Sequence, residues 1–189
     1  FPDFLRNPES IEHELIIYHK PVGEICSRSD PKHENTVFRN LPKPKVGRWI
    51  QVGRLDINTS GLLLFTTDGQ LANKLMHPKS EIERVYLVRV FGDITFDKIN
   101  KLGSEVKLED GFSSFKSIKK VNYNKSDTKK DAKKDSKNQW FECSLMRGKN
   151  REVRRLWESQ DCSISRLIRI RFAEYSLPKD LKPGKYRKI

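Results

Sequence analysis

Asp56 lies in the run Gln51-Val-Gly-Arg-Leu-Asp-Ile-Asn-Thr-Ser-Gly-Leu-Leu-Leu-Phe-Thr-Thr-Asp68, two residues after Arg54 and just ahead of a strongly apolar segment. A carboxylate at the lip of a sheet, with an arginine beside it, suits nucleophilic or proton-transfer chemistry. The same residues also suit a tight turn, because Asp, Asn, Thr and Ser bond their own backbone. On side-chain alternation Arg54 and Asp56 point the same way. Arg54 then reads either as a surface ion-pair partner or as a phosphate contact.

The second concentration of reactive groups is cationic. From Arg147 to Arg171 there are seven Arg and one Lys against three acids, with Trp157 and several aliphatics between them. The whole chain carries a formal charge of +13 over 189 residues. An excess of that size favours polyanions through counterion release. The stretch Lys125 to Lys137 holds six Lys and three Asp and supplies only three of those charges, so most of the excess belongs to folded elements. Arginine on ordered elements suits phosphate and base contacts, since its planar fork donates two parallel hydrogen bonds. Nucleic acid is the expected partner.

Short elements must position these groups. Glu14–His19 reads as a buried strand stopped by Lys20-Pro21, and residues 20–48 as a long connection with one helical turn near Thr36–Leu41. Trp49–Val52 and Leu62–Thr66 bracket the Asp56 segment as strands. Asp68–His77 reads as a helix capped by Asp68, its stripe being Leu71, Ala72, Leu75 and Met76. Glu83–Phe91 is apolar on both faces and predicts a central strand. A mixed region, Thr95–Tyr123, precedes a strand over Gln139–Met146. Asn150 can cap a helix over Arg151–Gln160 with the stripe Val153, Leu156 and Trp157. Ile164–Phe172 is a last long strand and Tyr175–Ile189 a Pro-rich tail. Strict alternation would put Ser165, Leu167, Arg169 and Arg171 on one face of that strand and Ile164, Arg166, Ile168, Ile170 and Phe172 on the other. Strands outnumber helices without regular βα alternation, so the expected class is α+β around a mixed, mostly antiparallel central sheet with flanking helices.

Three separated stretches together resemble the pseudouridine synthases, in the branch that modifies ribosomal RNA. They are Tyr18-His-Lys-Pro-Val-Gly23 with Val52–Gly69, then Arg84-Val-Tyr-Leu-Val-Arg-Val-Phe-Gly92, then Gly148-Lys-Asn-Arg-Glu-Val-Arg-Arg-Leu-Trp157 with Ser165–Phe172. Finer details, such as Leu71-Ala-Asn-Lys-Leu-Met-His-Pro78 and the Asp110-Gly111 turn, match the large-subunit members. The resemblance runs from about residue 14 to 184. It implies the pseudouridine synthase fold with an RNA-binding cleft, as one catalytic domain over 14–189 in two closely packed halves, after a linker at 1–13. Residues 124–138 are expected as a mobile Lys-rich insertion, longer than the family norm. Ala173 stands where a Gly is usual. The S4-type RNA-binding domain common in that branch is not among these residues.

What the resemblance implies for chemistry is isomerisation of a uridine to pseudouridine: uracil leaves its ribose, rotates, and rejoins through carbon. Asp56 becomes the catalytic carboxylate, by attack on the sugar, attack on the base, or proton abstraction. Tyr86, otherwise a core aromatic, becomes the ring that stacks on the base. Arg154 becomes the Asp56 partner that keeps the acid ionised, against the plainer reading of an intrahelical pair with Glu158. Arg151 and Arg155 suit either that pair or phosphate contacts, and Arg169 and Arg54 RNA contacts. Leu167 becomes the pocket wall beneath the base.

Cys26, Cys143 and Cys162 are odd in number and widely spaced, and the four histidines are scattered. Neither set matches a disulfide framework or a metal site, so reduced cytoplasmic thiols, no metal and no cofactor are expected. No membrane-length apolar stretch or signal peptide is seen, and a soluble cytoplasmic monomer is expected. Two other readings compete: a non-catalytic RNA-binding or ribosome-assembly module, and an enzyme acting on small-subunit or transfer RNA. A pure binder has no use for a carboxylate facing a polyanion, which separates it from the enzyme.

Overall fold

The computed structural model describes residues 12–28, 35–123, 138–149 and 151–189. Eleven strands and three short α-helices occur among them. The strands are β1 (Leu15–Lys20), β2 (Ile50–Val52), β3 (Ser60–Thr66), β4 (Arg84–Phe91), β5 (Val106–Leu108), β6 (Gly111–Ser113), β7 (Ser117–Val121), β8 (Asn138–Leu145), β9 (Ser163–Phe172), β10 (Tyr175–Ser176) and β11 (Tyr186–Lys188). The helices are α1 (Gly69–Met76), α2 (Phe96–Leu102) and α3 (Glu152–Glu158).

Nine strands form one sheet in the order β11-β1-β3-β9-β4-β8-β7, with β2 beside β3 and β10 beside β9; β5 and β6 make a separate hairpin. All pairings but one are antiparallel. The exception is β3 with β9, joined in parallel over just two residue pairs, Ser60 with Ile168 and Gly61 with Arg169. Gly61 makes this seam possible. It adopts φ +115, and a Cβ there would run into the backbone carbonyl of Arg169.

The run Leu62-Leu63-Leu64-Phe65 is apolar without alternation because β3 is covered on both faces. Leu62 and Leu64 pack with Ala72 and Leu75 of α1, and Leu63 and Phe65 with Tyr18, Val37 and Trp49. A third cluster joins Val88, Val90 and Phe141 of the sheet to Val153, Leu156 and Trp157 of α3. Asp68 caps α1 as expected, accepting from the backbone N–H groups of Gln70 and Leu71 at 3.0 and 3.3 Å. Met76, assigned to the apolar stripe, is instead exposed. It lies in the last turn, where the helix leaves the sheet. Among the described residues no helix is long and apolar enough to cross a membrane.

Three further expectations change. The Pro-rich tail contributes β10 and the edge strand β11, which pairs with β1. Asn138, placed in the Lys-rich insertion by composition, begins β8 and pairs with Phe91. Strict alternation along β9 fails, because its pairing with β4 shifts register twice. Val85 pairs with Arg171 but Tyr86 with Arg169; Arg89 pairs with Arg166 but Val90 with Ile164. The extra residues, Ile170 and Ser165, are bulges. They bring Ile164, Leu167, Arg169 and Phe172 onto one face, so Leu167 is not a lone apolar residue among arginines. The linker at 1–13 and the Lys-rich insertion fall almost entirely outside the described residues, as does the Asn150 cap.

Candidate RNA-binding active site

The loop between β2 and β3 enters the sheet at the β3–β9 seam, and Asp56 sits at its apex. Its turn is closed by the Thr59 N–H donating to the Asp56 carbonyl at 3.0 Å. Beneath it lies Lys20, fully buried at the end of β1. Its ammonium donates to the carbonyl oxygens of Thr59 at 2.7 Å and Pro21 at 3.0 Å. Burial pushes the Lys20 pKa down, while the charges of Cys26, Glu24 and Asp56 oppose the shift. The Leu55 N–H, one residue before Asp56, points at Cys26 Sγ (3.4 Å). A buried cation holding loop carbonyls has no signature in sequence beyond a charged residue ending an apolar strand, so Lys20 reads there only as a strand stop.

Above this loop opens a cleft of about 580 Å³. The β4–β9 face forms its floor: Tyr86, Leu167 and Phe172, with Tyr86 and Arg169 directly opposite across the strand pair. The cationic wall comes from Arg54, Arg84, Arg147, Lys149, Arg151, Arg154 and Arg169; the acids are Asp56 and Glu152. Glu152, buried in the first turn of α3, accepts from Ser113 Oγ and from the Lys149 N–H. Those bonds anchor the β5–β6 hairpin and occupy this carboxylate. Asp56 is half-buried and faces the cleft.

The cation paired with Asp56 is Arg151, with Nη1 3.7 Å from Oδ2. Arg154, expected in that place, is 8% exposed and donates from Nη2 to the Asn58 carbonyl at 3.2 Å. Burial, and then the Arg151 charge, push its pKa down; Asp56 acts against them at longer range. The correction has a geometric cause. Arg151 takes a left-handed backbone (φ 52) just ahead of α3, which turns its side chain into the cleft, whereas Arg154 is fixed against the loop backbone. Arg155 does not line the cleft. It makes a two-pronged pair with Asp110, 2.7 and 3.1 Å, on the β5–β6 hairpin. Arg54 lines the cleft beside Asp56 from an exposed position, although β2 ends at Val52 and strand alternation no longer applies.

Arg169 is 3% exposed. Its Nε donates to the Leu62 carbonyl at 2.9 Å, and its guanidinium packs 4.9 Å from the Phe172 ring centroid. Burial pushes its pKa down and the Tyr86 hydroxyl opposes this. Arg169 therefore underlies Tyr86 and ties the two sides of the seam together; a direct backbone contact to RNA is not its geometry. Arg147 and Lys149, members of the cationic run, lie in the wall, and so does Arg84, which had no individual role in the sequence. The signal for Arg84 is Arg84-Val-Tyr86, where an arginine precedes the aromatic by two residues and shares its face. Residues 14–159 match the family model described as RNA pseudouridylate synthase.

The chain belongs to the RNA pseudouridylate synthase family.

Curated relatives agree. The ribosomal large subunit pseudouridine synthase B of Yersinia pestis is 50% identical over 175 residues, covering 93% of this chain and 52% of its own. The protein of the same name from Pasteurella multocida is 52% identical over 175 residues, covering 93% of this chain and 48% of its own. The chain thus spans about half the length of these relatives. A solved structure described as a pseudouridylate synthase superposes with a TM-score of 0.76 at 23% identity, covering 94% of this chain and 70% of that one. At that identity the likeness supports the fold.

Proposed function

We propose that this chain isomerises a specific uridine to pseudouridine in ribosomal RNA, with the large-subunit RNA as its substrate. The observation that carries the proposal is Asp56: a carboxylate facing a cleft walled by seven cations, over a floor of Tyr86, Leu167 and Phe172. A site that only bound RNA would lose affinity by presenting an acid to phosphates. An isomerase needs one.

In this reading the target nucleotide leaves its stack and enters the cleft, as duplex-embedded or structured bases must for chemistry on the ring. Tyr86 stacks on the uracil and Leu167 supports it from below. The N1–C1′ bond breaks, the ring turns, and C5 bonds to C1′; the C5 proton is lost and N1 gains one. The atoms balance without an electron acceptor or transferred group, so the reaction requires no cofactor. Asp56 is the acting carboxylate and Arg151, 3.7 Å away, orients it. Arg154 acts one step back by fixing the Asn58 carbonyl, and Lys20 by fixing that of Thr59. Arg54, Arg147 and Lys149 meet the phosphates. Residues 14–189 act as one catalytic unit, a monomer in the cytoplasm.

Asp56→Asn tests the proposal. The variant should bind large-subunit RNA at least as tightly as the parent and form no pseudouridine there. Product formation by the variant would sink Asp56 as the acting group. A wild-type chain that bound but never converted would return the fold to the binding-module reading. Mapping pseudouridine in cells with and without the gene identifies the target uridine.

A further inference from the structure

A second cavity, about 350 Å³, lies against the first and shares Arg84, Arg147, Gly148 and Lys149 with it. The partition between them is the Arg84 guanidinium. Its Nη1 donates to the Ile82 carbonyl at 2.7 Å, and its Cζ stands 5.1 Å from the Phe172 ring centroid. Gly148 leaves the space it occupies, since a Cβ there would sit 2.9 Å from that same Cζ. The partition is therefore held from three sides.

Beyond it the chemistry changes. Met76, Ile82 and Met146 make an apolar surface, Glu81 brings a carboxylate, and Lys149 stands on the rim common to both cavities. Unbranched thioethers adapt to flat ligands and tolerate varied shapes. A carboxylate accepts hydrogen bonds from an exocyclic amine. A cation on the shared rim suits a phosphate between two occupants. Met76, exposed at the end of α1, lines this cavity.

We propose that this second cavity holds an unstacked nucleobase next to the target uridine on the same RNA strand, and that Glu81 favours a base bearing an amino group over uracil. The proposal rests on the RNA-modifying reading of the first cleft. The intervening phosphate crosses above Arg84 and meets Lys149, so the two pockets together read the target and one neighbour.

The test uses stem-loop transcripts of large-subunit RNA around the mapped uridine, with an abasic residue placed at each neighbouring position in turn. With the wild-type chain one abasic position should raise KM about tenfold, the order expected for losing one base contact. Met76→Trp, which fills the cavity from an exposed helix end, should raise KM for the intact RNA by a similar factor. It should add nothing for the abasic RNA, and leave kcat at saturating RNA unchanged. Glu81→Gln should reduce the preference for an amino-bearing base over uracil at that position. Tolerance of every abasic position by the wild-type chain, or penalties from Met76→Trp and the abasic site that multiply, would overturn the proposal. Equilibrium binding of the same RNA and protein combinations reads the cavity without turnover. Coupled binding without any pseudouridine would sink the proposed activity and leave the second pocket standing.

Discussion

Arg151 places Nη1 3.7 Å from Oδ2 of Asp56, and it does so from a left-handed backbone at φ 52 immediately before α3. Both side chains keep more than a third of their surface in solvent, so the pair contributes little to stability. Arg154, by contrast, is buried and bonded to the loop that carries Asp56. The two arginines should therefore separate by experiment. Arg151→Ala should leave the unfolding free energy within about 0.5 kcal/mol of the parent and reduce kcat about a hundredfold, as loss of one electrostatic group at a reacting centre does. Arg154→Ala should lose about 1–2 kcal/mol of stability by abandoning the Asn58 carbonyl, with kcat falling as the loop loosens. Equal stability losses in the two variants would contradict this division.

Gly61 should tolerate no side chain. Its φ of +115 and the nearness of the Arg169 carbonyl combine strain with overlap at the β3–β9 seam. Gly61→Ala is expected to cost about 3 kcal/mol in denaturant unfolding. Activity should fall even in the folded fraction, because the seam sets the spacing between the Asp56 loop and the Tyr86 floor.

Ala173 should behave in the opposite way. It follows β9 with φ 55, a conformation that is unfavourable for an L-residue and free for glycine. Ala173→Gly removes that strain and adds backbone entropy to the unfolded chain, for a net gain of about 0.5–1 kcal/mol. A rise in Tm of about 2 °C, with activity unchanged, is the expected reading.

The Asp110–Arg155 pair has a definite pH window. The hydrogen bonds from Arg155 hold the Asp110 carboxyl below its ordinary value of 3.8. A carboxyl whose folded pKa is depressed contributes stability above its unfolded pKa and loses it as pH falls through the folded value. Parent and Asp110→Asn should thus differ by a constant amount at neutral pH, and the difference should close only below about pH 3.8. A difference that vanished near pH 6 would mean another group sets it.

Much of this molecule was legible in its sequence because the signals are local. Asp68 caps α1 through its own neighbours, Val153, Leu156 and Trp157 recur at helical spacing, and Leu62–Phe65 are apolar without interruption. The cationic run Arg147–Arg171 was likewise visible in composition, while its grouping with Asp56 and Tyr86 was expected from the resemblance to the family. What the tertiary structure decided were relations between distant segments. Side-chain alternation assigns a face only while register is unbroken, and the bulges at Ser165 and Ile170 exist only in the pairing of β9 with β4. That pairing moved Phe172 to the cleft floor beside Leu167. Choosing Arg151 over Arg154 as the Asp56 partner depended on one left-handed residue, and committing Arg155 to Asp110 depended on where the β5–β6 hairpin packs. Lys20 became a buried support because the Asp56 loop folds back over the end of β1. A residue type and its spacing fix what chemistry is possible; which partner it meets is set by packing between elements, and only the folded chain contains that information.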